Sequence, residues 1–184
     1  MRRYDYINKL VKERGYKSYL EIGIDKGGCF RKVQCAKKTG VDPVSNVNGI
    51  IKKNSDDFFG STDEKFDIIF IDGLHTAEQV ESDIVNGMAH LNKGGVLVLH
   101  DINPPTEESQ EVPKISSPWK GTVWRAMVGF IKKYPEVEAY TLANTDTGLG
   151  VIEYVDMKIK EGFSTTIKYA TFDKSRKKYL NIIG

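Results

Sequence analysis

Two apolar runs that end on carboxylates constrain this chain most. Phe66-Asp67-Ile68-Ile69-Phe70-Ile71 leads to Asp72, and Val96-Leu97-Val98-Leu99 leads to His100-Asp101. Such runs, rich in Ile, Val and Phe, suit strands buried on both faces, as in a parallel sheet covered by helices. Between them Ala77, Val80, Ile84 and Leu91 keep helical spacing. They follow a T-x-x-Q capping signal at Thr76 and Gln79. A turn at Asn92-Lys93-Gly94-Gly95 then separates helix from strand. Strand, helix and strand in this order predict an α/β fold.

The same grammar opens the chain. Residues 4–14 form a lead-in helix carrying Ile7, Leu10 and Val11, with Gly15 as its stop. Tyr19-Leu20-Glu21-Ile22 reads as a buried strand, and Gly23 and Gly27 allow a tight turn and close approach of a ligand to the backbone. A helix from about Gly28 to Lys38 is expected next, its free N–H groups facing a polar ligand. The dinucleotide pattern G-x-G-x-x-G is absent, because Asp25 stands at its second glycine and would repel a pyrophosphate.

Gly40-Val41-Asp42-Pro43 is a short strand whose acid lies 21 residues after Glu21. In nucleoside-binding α/β folds an acid at that distance takes the ribose hydroxyls. An Asp-Pro surface turn uses the same residues. Ser55-Asp56-Asp57-Phe58-Phe59 starts a short helix. There Ser55 or Asp56 either lies over an adenine or caps the helix. Glu21, Asp42, Asp72 and His100-Asp101 are thus four polar strand ends, and in an open parallel sheet such ends share the ligand-binding edge.

The remainder is less regular. Residues 102–118 hold four prolines and read as a long functional loop. A helix over 123–131 and strands over 137–142 and 149–154 follow, and the basic stretch 156–184 reads as a solvated appendage or a weak contact for an anionic partner. With 184 residues the chain is expected to be one domain, with core 18–155 and the extension 156–184. A net charge of +2 gives no reason to expect nucleic acid as a partner. No apolar run is long enough to span a membrane, and the N-terminus has no signal-peptide core, so a cytoplasmic protein is expected. Cys29 and Cys35 lie six apart on the expected helix, facing different sides, and read as reduced packing residues.

The glycine turn resembles the first motif of class I S-adenosylmethionine (SAM) methyltransferases. Asp72-Gly73-Leu74-His75, Gly94-Gly95-Val96 through His100-Asp101, Gly121-Thr122-Val123-Trp124 and Thr147-Gly148-Leu149-Gly150-Val151 occur in that order. Together they look like the methyltransferase-24 type, which is similar to macrocin-type sugar O-methyltransferases and cephalosporin-hydroxylase-like proteins. The resemblance spans roughly residues 18–155. It implies a Rossmann-like, doubly wound, mostly parallel sheet with an antiparallel final hairpin over 137–155. It also implies SAM held by Glu21, Gly23, Ile24, Gly27, Asp42, Ser55, Asp56, Asp72 and His75.

Methyl transfer to a hydroxyl needs a base or a metal to take the proton. His75, beside Asp72 and just before a helix, is the first candidate for the base, and a loop-bracing hydrogen bond is its other use. His90 reads as structural. Asp72, Asp101 and Asn103 resemble the magnesium ligands of catechol-type O-methyltransferases, although His100 replaces an acid of the macrocin-type pair. Without a metal, Asp72 and Asp101 would face SAM and the acceptor directly. Trp119 and Trp124 are candidates for an acceptor pocket, with Trp124 also on a core stripe. The acceptor is expected to be a small molecule or glycan, and homo-oligomerisation is open. A SAM- or nucleoside-binding protein without turnover and a nicotinamide-dependent oxidoreductase are the competing readings.

Overall fold

The computed structural model describes residues 1–115, 117–145 and 147–183. Ser116 of the long loop, Asp146 of the last connection and Gly184 of the tail lie outside the described residues. The elements in chain order are α1 (Arg3–Arg14), β1 (Ser18–Ile22), β2 (Lys37–Val41), α2 (Ser55–Phe59), β3 (Phe66–Ile71), α3 (Ala77–Ala89) and β4 (Leu91–Leu99). They continue with a 3-10 turn (Glu108–Gln110), α4 (Val123–Lys133), β5 (Ala139–Leu142), β6 (Leu149–Glu153), α5 (Tyr169–Lys174), α6 (Arg176–Tyr179) and β7 (Ile182–Ile183).

The strands form one sheet in the order β2-β1-β3-β4-β6-β5-β7. β6 runs antiparallel to both its neighbours, and every other pairing is parallel. Phe66, Ile68, Ile69 and Phe70 are fully buried, as are Val96 to Leu99, because helices cover both faces. One face packs on α1 through Tyr6, Ile7 and Leu10, and the other on α3 and α4 through Ile84, Trp124 and Phe130. This is the doubly wound, Rossmann-like arrangement with its antiparallel hairpin. The chain leaves β1 for β2 on one side and returns to β3 on the other, so the crevice for a ligand opens beyond the ends of β1 and β3.

Four expectations change. Residues 25–32 are successive turns and 33–34 irregular chain, not a helix. β2 already begins at Lys37, in register with Ser18, which shortens the crossover, and the Lys38 ammonium takes the carbonyls of Phe30 and Val33. The Asn92–Gly95 turn lies inside β4 as an irregularity, since Phe66 pairs with Leu91 but Ile68 with Val96. Only half of the capping box forms: Thr76 accepts from the Gln79 amide, while the Gln79 side chain turns to α2. The basic extension is no appendage. Phe172 and Leu180 are fully buried, and β7 pairs with β5.

Arg125 on α4 donates to the carbonyls of Thr165 and Ile167. Glu81 on α3 accepts from the amides of Gly162, Phe163 and Ser164. The extension is therefore laid along both helices. Cys29 and Cys35 are free thiols.

Candidate active site

Beyond β1 and β3 lies a cleft of about 590 Å³, within the size of small-molecule sites. Gly23 makes it possible. Its φ of +86° needs glycine, and a Cβ there would stand 2.1 Å from the Asp72 carbonyl oxygen, so the ends of the two strands can meet only without a side chain. Gly23, Asp42, Ser55, Asp56 and Asp72 all line the cleft, together with Asp25 and Lys53. Val44 and Leu74, 79% and 59% exposed, stand at its wall as uncovered apolar side chains. Its charged lining is four carboxylates and one ammonium.

Glu21, Ile24, Gly27 and His75 are not among the residues lining the cleft. Glu21 is buried beneath the turn, where it accepts a 2.5 Å hydrogen bond from Tyr19. Burial pushes its carboxyl up to about 7 against that hydrogen bond, and the Asp72 charge adds to the rise. The Ile24 side chain is buried, and its amide donates to Asp42. Gly27 turns the chain at φ +75° against Val47.

Asp42 is committed to the backbone. Oδ2 accepts from the amides of Ile24 (2.9 Å) and Asp25 (3.0 Å), and Oδ1 from Val44 (2.8 Å) and Ser45 (2.7 Å). Burial raises its pKa, but these four amides outweigh burial and hold it below the usual carboxylate value. The carboxylate therefore ties the glycine turn to the loop after β2.

Asn54 caps α2, accepting from the Asp57 amide at 2.8 Å. Ser55 and Asp56 are therefore not needed as the cap, and both accept from Gln79 Nε2, at 3.2 and 3.3 Å. The same amide reaches Asp83, which is fully buried, with Oδ2 lacking a hydrogen-bond partner among the described residues. Burial pushes Asp83 up to about 6 against hydrogen bonds from Ser55 and Gln79. Its folded pKa thus exceeds the unfolded one, so its contribution to stability is full at low pH and is lost as pH rises through about 6. The shift corresponds to roughly 3 kcal/mol. Asp83→Asn is expected to raise Tm at about pH 8 and to leave it unchanged near pH 4, as thermal melts across that range would read.

Next to the cleft, Asp72, His75, His100 and Asp101 converge. Asp72 Oδ1 lies 3.3 Å from His75 Nε2 and 2.9 Å from His100 Nδ1. Burial raises the Asp72 pKa, but the hydrogen bonds from His100 and His75 win and hold it well below the usual range. His75 Nδ1 is buried without a hydrogen-bond partner among the described residues and lies 3.7 Å from Asp101 Oδ2. Trp119 stacks on the His75 ring at 5.5 Å. Trp124, by contrast, is core, stacked 4.2 Å from Phe172. His90 braces two carbonyls, Asn86 and Thr62, at a distance from the cluster.

Ligand atoms of Asp72, His75 and Asp101 lie within 4.8 Å of one another, a spacing a metal can use. Asn103 does not complete the expected set, because its Oδ1 accepts from Arg176 at 2.5 Å. Cations already sit on both acids. Lys120 Nζ is 3.0 Å from Asp101 Oδ1, and Arg3 Nε is 3.7 Å from Asp72 Oδ2. The donor set therefore does not fit the expected magnesium ion. Neither cation carries a sequence signal: Arg3 starts a surface helix and Lys120 ends a loop.

The sequence model of the methyltransferase-24 family, described as a methyltransferase domain, matches residues 9–102. The chain belongs to that family of SAM-dependent methyltransferases. A search of curated proteins found no match. Among solved structures, this methyltransferase is similar to an O-methyltransferase from Bacillus cereus in complex with S-adenosylhomocysteine. That pair has 16% identity and a TM-score of 0.60, over 83% of this chain and 80% of the other. The O-methyltransferase of tomaymycin synthesis from Streptomyces achromogenes, in complex with SAM, is similar at 15% identity and TM-score 0.60, over 83% and 79%. The N-methyltransferase NodS from Bradyrhizobium japonicum is similar at 19% and 0.54, over 84% and 95%. At these identities the likeness is one of fold. Among the described residues, no helix of this methyltransferase is long and apolar enough to cross a membrane.

Proposed function

We propose that this methyltransferase methylates a hydroxyl of a small molecule or glycan, with His75 as general base. The observation that carries the reading is that Asp72 lines the cleft and also holds His75. Cofactor and base thus meet at one residue. The surplus of carboxylates in the cleft suits a sulfonium and opposes the pyrophosphate of a nicotinamide cofactor. Val44 and Leu74 offer apolar surface for the adenine, with Ser55 and Asp56 beside them.

Bound SAM supplies an electrophilic methyl group, which an oxygen takes in an in-line displacement that leaves S-adenosylhomocysteine. Asp72 receives the Nε2–H of His75 and so leaves the lone pair on Nδ1. Nδ1 is covered in the empty protein, so the acceptor must displace that cover for Nδ1 to take its hydroxyl proton as the oxygen–carbon bond forms. Trp119 holds the imidazole plane and keeps water from that face.

Calorimetric titration with SAM and S-adenosylhomocysteine, with NADH as the control, tests the cofactor. Binding of the first two alone is expected, and preference for NADH would overturn the reading. His75→Ala should keep SAM affinity while losing roughly 100-fold or more in turnover on an acceptor found by screening. Undiminished turnover in that variant would remove His75 as the base.

A further inference from the structure

We infer that Lys120 is the built-in cation of the transfer site, standing where a divalent ion would otherwise hold the acceptor oxygen, so that the site takes no metal. The inference rests on the reading of the acid–histidine cluster as the place of methyl transfer. Lys120 is 8% exposed, a rare setting for lysine unless it is paired. Its ammonium is bonded to Asp101 Oδ1, which also accepts from Thr147. Asp101 itself stands at φ +59°, a strained backbone for a residue that is not glycine.

The segment presenting Lys120 is fastened on both sides. The amides of Lys120 and Gly121 donate to the Ser109 carbonyl at 2.7 and 3.3 Å, and the Thr122 amide donates to the His75 carbonyl at 2.8 Å. A Cβ on Gly121 would stand 2.0 Å from that carbonyl oxygen, so backbone lies directly on backbone there. Trp119, stacked on His75, donates to the Glu111 carbonyl at 2.6 Å. Lys120 is thus carried to Asp101 by the same segment that covers the proposed base.

Charge decides the rest. Asp72 and Asp101 bring two negative charges, and Arg3 and Lys120 bring two positive ones. The cluster is neutral before either histidine is counted. A divalent ion ligated by Asp101 would share its carboxylate with an ammonium 3.0 Å away and find no compensating charge. A preorganised ammonium supplies the same service, stabilising the negative charge that develops on the acceptor oxygen as its proton leaves.

The test is titration of the full chain with Mn²⁺ followed by electron paramagnetic resonance, with S-adenosylhomocysteine present. Wild type and Lys120→Arg are expected to bind no Mn²⁺ at the cluster. Lys120→Met, which keeps length but loses charge, should gain Mn²⁺ affinity by on the order of tenfold or more, and Asp101→Asn in that background should remove the gain. Circular dichroism confirms that each variant is folded. Wild-type Mn²⁺ binding abolished by Asp101→Asn would overturn the inference, and so would a folded Lys120→Met variant with no gain. Failure of wild type to bind SAM or S-adenosylhomocysteine by calorimetry would instead remove the methyltransferase reading of the cleft, whatever the metal result.

Discussion

Asp42→Ala is expected to abolish measurable SAM binding and also to destabilise the protein without any cofactor, by about 3 kcal/mol. The second effect separates two roles. A carboxylate that served only a ribose diol would leave the empty protein within about 0.5 kcal/mol of wild type. Here both oxygens are filled by backbone amides, from Ile24 and Asp25 on one side and Val44 and Ser45 on the other. Removing them strands donors at the floor and rim of the cleft and frees the turn from the loop after β2. Asp42→Asn should be almost as costly, because its amide group turns donors toward two N–H groups. The folded-state pKa is depressed, so this stabilisation is present above the unfolded pKa and is lost as pH falls through the folded one. Denaturant unfolding of the empty protein, beside SAM calorimetry, reads both effects. Wild-type stability with lost SAM binding would return Asp42 to a purely ligand-binding role.

Phe172→Ala is expected to cost about 3–5 kcal/mol, as for a large aromatic removed from a core. Phe172 is fully buried, and its ring lies 4.2 Å from that of Trp124, while Tyr169 meets Trp124 edge-on at 6.3 Å. The damage should spread toward the site. On the adjoining turn of chain, Arg176 donates to Asn103 and to the Pro104 carbonyl, shortly after Asp101, and Tyr169 donates to the same carbonyl. The variant is therefore expected to lower turnover more than SAM affinity, since neither Asn103 nor Pro104 lines the cleft beyond β1 and β3, where SAM is proposed to bind. Thermal melts and calorimetry together check this. A change in stability within about 0.5 kcal/mol would mean that the extension is a solvated tail after all.

Asp42 and Phe172 both lie where one-dimensional spacing misstates a residue's work, and other parts of the chain are plainer. Phe66–Ile71 and Val96–Leu99 are legible because a strand buried on both faces needs apolar residues at every position, whatever lies next to it. The acids that follow are legible for the same reason: a carboxylate right after such a run must sit at the sheet's edge. α1, α3 and α4 carry their own periodicity and stops, such as Gly15 at φ +68°. Residues 25–34 are not legible. Helical composition there is overruled by the pairing of Ser18 with Lys37 and by the hold of Lys38 on two carbonyls, neither of which leaves a mark on local spacing. The extension misleads similarly, since its lysines dominate composition while Phe172, Leu180 and Tyr169 do the packing.

By itself, then, the sequence determined the buried strands, the edge where their acids gather, the family and the meeting of Asp72 with His75, because each depends on neighbours close along the chain or on strands buried on both faces. Only the tertiary structure decided that Asp42 is spent on backbone amides, that Asn103 belongs to Arg176, and that Arg3 and Lys120 sit on the two acids. The three cations come from other segments, where their side chains look solvated in one dimension, and the amides on Asp42 come from its own loop and the glycine turn. A buried charge finds its counter-charge through the fold, and no local spacing records the choice.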